Sequence, residues 1–202
     1  KDINFKINKG EWLGIYGKSG AGKSSLLDAL MGLLETTKGK VIINGSEIYK
    51  SNLYFYWRDS IAHCSSEPFL IDSDVISNIR SIFTSKKLNL KRLEKVWHCA
   101  ALDEFLSLKD ALKIFKKNNF RNNLNHMKSF SSGQKQRIAI ARTLYKNKEV
   151  IMLDEFTSAL DSHTEKIILE RIKKNYSDNT FILISHRKYP LEFCDQLIDL
   201  GK

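Results

Sequence analysis

The sequence predicts an α/β fold with a mostly parallel sheet, a small antiparallel β part and an inserted helical subdomain. Three observations predict it. The apolar runs Trp12–Tyr16, Val150–Leu153 and Phe181–Ile184 carry no polar alternation, the pattern of strands buried on both faces. Helical stretches lie between these runs, as parallel strands require a crossover connection. From about Asp72 to Lys117 the apolar residues fall instead at helical spacing, with Val75, Ile76 and Ile79 on one stripe and Leu90, Leu93, Val96, Trp97 and Ala100 on another.

Taken in order, Asp2–Ile7 alternates polar and apolar residues and reads as a half-buried strand, closed by a turn at Lys9-Gly10. Trp12–Tyr16 is a short buried strand, and Ser25–Met31 a helix. Lys38-Gly39-Lys40 is a turn before the strand Val41–Ile43, and Asn44-Gly45 is a strong hairpin signal. Asn52–Trp57 reads as a helical turn and Ser60–Cys64 as a strand. Residues 116–128 are polar, Asn-rich and read as a loop. Ile138–Leu144 is a helix whose start is marked by Ser131, Ser132 and Gly133, the composition of an N-cap. A helix over residues 163–174 and a last strand over Leu197–Leu200 complete the pattern.

The chain has 202 residues, 42% of them hydrophobic and 28% charged, enough for one sizeable core with a subdomain. Its net charge of +10 points to anionic partners or to a solvated lysine-rich surface, and the scatter of the lysines favours the surface. No apolar run reaches the roughly 18 residues of a spanning helix, and no signal-peptide pattern opens the chain. Cys64, Cys99 and Cys194 are far apart and odd in number, which fits reduced thiols in a cytosolic setting. The pairs His63-Cys64 and His98-Cys99 lack metal-ligand spacing and read as core packing.

The chemistry is carried by a few stretches. Gly17-Lys18-Ser19-Gly20-Ala21-Gly22-Lys23-Ser24 fits G-x-x-x-x-G-K-[ST], set between a strand and a helix. Glycines let backbone N–H groups curl around phosphate oxygens, and the following helix, from Ser25, adds its N-terminal partial charge. In such a loop Lys23 reaches the β- and γ-phosphates and the Ser24 hydroxyl ligates Mg²⁺. The chain is therefore expected to bind a nucleoside triphosphate. Asp154-Glu155 ends a strand that a parallel sheet brings to the same edge. Asp154 is placed to hold Mg²⁺ through water, and Glu155 to act as general base on the attacking water. On its own such an acidic pair is more often a helix cap with surface charge. His186 follows the Phe181–Ile184 strand and reaches the same edge, where it could bond the γ-phosphate and orient the water.

Together these residues resemble the nucleotide-binding domain of an ATP-binding cassette (ABC) transporter, over nearly the whole chain. Phe130-Ser131-Ser132-Gly133-Gln134 is similar to the LSGGQ signature, and Thr157-Ser158-Ala159-Leu160-Asp161 to the D-loop. Ser185-His186-Arg187 resembles the switch histidine. The resemblance implies ATP and Mg²⁺ as ligands, and an ATPase core over residues 1–66 and 134–202 with a helical subdomain over about 67–133. It implies a second nucleotide-binding domain, head to tail and either a copy or a paralogue, whose ATP meets Ser131, Ser132, Gly133 and Gln134, with Asp161 nearby. Glu67–Ile79 is similar to the exporter segment that faces a transmembrane domain, usually on the same polypeptide. That places the domain at the cytoplasmic face of a membrane and reads the chain as part of a longer protein, with no nucleic acid as partner.

Three departures stand out. Ser66 replaces the glutamine that reaches Mg²⁺ in the Q-loop, and Ser132 replaces the first signature glycine. The acidic loop that precedes the signature is absent, with Asn125 and His126 in its region. Two other readings stay open at this level: a soluble ABC ATPase acting on nucleic acid, motivated by the basic charge, and a low-turnover ATP-gated module, motivated by Ser66 and Ser132.

Overall fold

The computed structural model describes residues 3–50, 53–81, 87–117 and 126–201. Asp2, Asn52 and most of the Asn-rich stretch, Asn125 included, lie outside them. The elements are β1 (Trp12–Tyr16), α1 (Lys23–Leu30), β2 (Ile42–Ile43), β3 (Ser46–Glu47), α2 (Tyr54–Ser60), β4 (Ile61–Cys64), α3 (Val75–Arg80), α4 (Leu90–Cys99), α5 (Leu108–Lys117), α6 (Ser132–Tyr145), β5 (Val150–Asp154), α7 (Ser162–Asn175), β6 (Thr180–Ile184), α8 (Lys188–Leu191) and β7 (Gln196–Asp199). They fall into two compact units, residues 1–63, 148–155 and 178–202 in the first, and residues 64–147 and 156–177 in the second.

The first unit is built on a five-stranded sheet in the order β4-β5-β6-β1-β7. The pairs β5–β6, β1–β6 and β1–β7 are parallel. Every residue of β6 is buried and so are the first four of β1, as the unbroken apolar runs predict. Leu13, Ile15, Leu27, Met31, Met152, Ile182 and Ile184 form the core, joining the sheet to α1. Trp12 packs on Phe181 with ring centroids 4.1 Å apart. The hairpin β2–β3 turns at Asn44 and Gly45, with φ of 50° and 82°, the left-handed pair that a two-residue turn needs.

One predicted element is absent. Residues 3–7 form no strand. The Glu11 carboxylate accepts from the Asn8 backbone N–H and side-chain amide, which closes a turn, and the Lys6 carbonyl accepts from the Gln196 side-chain amide rather than from a ladder partner. Phe5 and Ile7 still pack against the core, so the alternation recorded burial and not pairing.

The second unit is helical. Leu93, Val96, Trp97 and Ala100 are buried, as their spacing predicts, while Leu90 is left exposed. Asp74 caps α3, accepting from the Ser77 N–H and hydroxyl. Arg137 on α6 is buried with partners on two sides, donating to the Ala100 carbonyl and to Glu104 at 2.8 Å. The helices α6 and α7 cluster with this unit and not with the sheet.

Candidate functional site

The geometry of the first unit follows from strand order. Because β5, β6 and β1 are adjacent and parallel, their carboxyl ends lie side by side. Register pairs Asp154 with Ile184 and Ile15 with Ile184. The bonds Glu155 N–H to Ile184 carbonyl (3.0 Å) and Ser185 N–H to Ile15 carbonyl (3.2 Å) extend the ladder past the strand ends. The loop from Gly17, the acids Asp154 and Glu155, and His186 therefore share one edge of the sheet.

At the loop, α1 starts at Lys23, with Gly22 as its N-cap at φ 93° and no side chain bonding its first turn. Only glycine adopts that conformation cheaply. A Cβ on Gly20 or Gly22 would meet nothing within 4 Å, so the loop backbone is approachable. The Lys23 ammonium is buried and donates to the carbonyls of Gly17 (3.0 Å) and Lys18 (3.1 Å), which holds it inside the curl of the loop. Ser24 and Ser25 are exposed beside it on the first turn of α1. First-turn N–H groups without a side-chain cap, beside a held cation, fit a polyphosphate.

Glu155 stands at φ 44°, a left-handed conformation unusual for a residue with a long side chain. Its Oε1 lies 2.8 Å from His186 Nε2. Burial, together with the neighbouring Glu155 and Asp28 carboxylates, pushes the Asp154 pKa upward against the opposing fields of Lys23 and His186. A carboxylate held among like charges gains from a cation, so the donor set of Ser24 and Asp154 fits Mg²⁺. Two features were not read from the sequence. One is the Glu155–His186 contact, since pairing across strand ends is set by sheet order. The other is Asp28, which the spacing could have found, since it sits four residues after Ser24 on the same helix face.

In the second unit, Ser131 caps α6 in a reciprocal capping box: its hydroxyl accepts from the Gln134 N–H, and the Gln134 side chain accepts from the Ser131 N–H. Ser132 is exposed on the first turn. A Cβ on Gly133 would lie 3.0 Å from the Ala159 carbonyl, so glycine there permits α6 to rest on the 157–161 loop. That loop ends at Asp161, the N-cap of α7, whose carboxylate accepts from the Thr164 N–H and hydroxyl and titrates below the usual range because of them. Ser66 is partly buried, next to Ser65, whose carbonyl accepts from the buried Gln136 amide. The described residues hold no group of three or more ligands set for a structural metal, and all three cysteines are free thiols.

A phosphate loop at the end of one parallel strand, with a histidine at the end of the neighbouring strand and an acid pair at the end of the next one over, is the arrangement of a nucleoside triphosphatase. Comparison with known proteins narrows this. The ABC transporter family model matches residues 1–158. The chain is 34% identical to ABC transporter C family member 14 of Dictyostelium discoideum over 207 aligned residues, covering 100% of the chain and 15% of the relative. Among solved structures, a bacterial Atm1-family ABC exporter with ATP bound aligns with a TM-score of 0.80 at 27% identity, over 98% of this chain and 33% of that one. The dimeric post-hydrolysis state of an ATP-binding cassette bound to ADP and Pi aligns at 0.76 and 27%, over 100% and 85%. The chain belongs to the ABC transporter family and is an ATP-binding ATPase domain of it. It spans about a seventh of the length of that Dictyostelium relative, and no helix among its described residues is long and apolar enough to cross a membrane.

Proposed function

We propose that this domain is the ATP-hydrolysing motor of an exporter, working from the cytoplasmic face of a membrane with a transmembrane domain on the same polypeptide. The observation that carries the reading is the shared sheet edge, where Glu155 and His186 touch beside the loop that holds Lys23. Backbone N–H groups of Gly17, Lys18, Ser19, Gly20, Ala21, Gly22, Lys23, Ser24 and Ser25 cradle the phosphates, and the Lys23 ammonium turns from the loop carbonyls toward them. Ser24 and, through water, Asp154 would hold Mg²⁺, which supplies charge neutralisation on the phosphate oxygens. Glu155 takes the proton of the attacking water. His186 fixes the Glu155 carboxylate and faces the terminal phosphate.

Ser131, Ser132, Gly133 and Gln134 meet the nucleotide of a second ABC domain arranged head to tail, with Asp161 anchoring the adjoining loop. The dimeric state of the solved cassette supports this pairing. Ser66 carries a short hydroxyl side chain where the family's Q-loop has the longer amide of glutamine. The test is ATPase activity of the full protein in lipid. Stimulation by the membrane domain and its cargo is expected; stimulation by DNA or RNA instead would replace the exporter reading with a nucleic-acid one.

A further inference from the structure

The chain's net charge is not shared between its two units. The first unit carries thirteen Lys and Arg against thirteen Asp and Glu, and the second twenty against ten, so the whole +10 resides on the helical unit. Part of it is concentrated where α4 crosses the ends of α6 and α7. Arg92 and Lys95, three residues apart on α4, each sit over a tyrosine: the Arg92 guanidinium 5.7 Å from the Tyr145 ring centre, and the Lys95 ammonium 4.0 Å from that of Tyr176. Arg92 also donates to the Tyr145 carbonyl at 3.5 Å, and the Tyr145 hydroxyl accepts from the Asn89 N–H. Lys146 follows Tyr145, and Lys173 and Lys174 precede Tyr176. Lys91, Lys95, Lys146 and Lys174 are exposed. The acids nearest these cations along the chain include Glu94, Glu149 and Asp178, all exposed, and Glu170, which pairs with Lys166, while Asp103 pairs with Arg171. Cations at helix C-termini complement the dipole, but that accounts for one or two per helix and not for a cluster assembled from three.

We propose that this face docks an acidic polypeptide segment carrying an apolar residue. Lysines are mobile point charges suited to flexible carboxylates, and Leu90, 51% exposed at the start of α4, offers the apolar contact. Single-stranded nucleic acid would need open aromatic platforms, whereas Tyr145 and Tyr176 are buried beneath their cations at 9% and 5% exposure. A bilayer would need more than one exposed apolar side chain to hold the domain. The face lies at the opposite end of α6 from Ser131, about 20 Å along the axis, so an occupant there leaves the signature residues uncovered.

The experiment is titration of a fluorescent Glu/Asp-rich peptide with a central Leu into the chain, beside phosphatidylserine vesicles and a single-stranded RNA. The variant is Lys91→Glu with Lys174→Glu, neither of which touches a ring. Lys38→Glu with Lys40→Glu on the first unit is the charge-matched control, and melting curves establish that both fold. Peptide binding that weakens with salt, falls at least about tenfold in the patch variant and stays within about twofold in the control is expected. No peptide binding, equal weakening in both variants, or patch-dependent binding of vesicles or RNA in preference to peptide would overturn the proposal.

Discussion

Two helices of this chain begin at turns rich in glycine and serine, and they settle their first-turn N–H groups in opposite ways. The start of α1 is capped by Gly22 in a left-handed conformation with no side chain closing on it. The start of α6 is closed on itself by Ser131 and Gln134. The first leaves its donors for an external anion, with Lys23 buried beneath them. The second satisfies its own turn and presents the exposed Ser132. Similar composition therefore leaves uncapped first-turn donors in one place, the phosphate cradle we propose, and a self-capped turn in the other, the contact surface we propose.

Four substitutions test the two sites. Lys23→Ala should have the largest effect, weakening ATP binding at least tenfold through loss of a charge-assisted contact worth about 1.5–3 kcal/mol, measured by calorimetric titration. An unchanged affinity would remove α1 from the phosphate site. Gly22→Ala forces a Cβ into φ 93° and should cost about 1–2 kcal/mol of stability while also weakening ATP binding. Ser131→Ala should cost about 1 kcal/mol, read as a lowered Tm, with the chain's own ATP affinity unchanged. Loss of ATP affinity there would erase the distinction between the two helix starts.

Asp154→Asn gives the smallest effect and a pH signature. The folded-state pKa of Asp154 is raised by burial and by Glu155 and Asp28, so the folded chain holds this proton more tightly than the unfolded one. Its contribution to stability is then lost as pH rises from the ordinary carboxylate pKa through the raised value. The variant should melt higher than the parent at neutral pH, and the advantage should disappear at acidic pH, where Asp154 is protonated in both states. Added Mg²⁺ should raise the Tm of the parent and not of the variant.

Much of this was legible in the sequence because the signals were local. The unbroken runs at Trp12–Tyr16 and Phe181–Ile184 became β1 and β6, and the glycine motif became the turn into α1. Of the serines before Ile138 that read as N-cap composition, Ser131 is the N-cap of α6, while its closure by Gln134 was seen only in the structure. The strand expected over Asp2–Ile7 is not formed over residues 3–7, because pairing needs a neighbour strand and the Lys6 carbonyl instead accepts from the distant Gln196 side chain. The Glu155–His186 contact was hidden likewise, since nothing along the chain places the end of β5 against that of β6. The left-handed backbone at Glu155 carried no compositional mark, because such a turn ordinarily recruits glycine or asparagine.

We propose that Glu155, held by His186 at the shared sheet edge, takes the proton from the attacking water. The most direct measurement is ATP hydrolysis by Glu155→Gln alongside ATP binding by the same protein. Hydrolysis should fall by roughly a hundredfold or more, with ATP affinity retained and the ATP-bound dimer accumulating. Turnover undiminished in that variant would rule out Glu155 as the base.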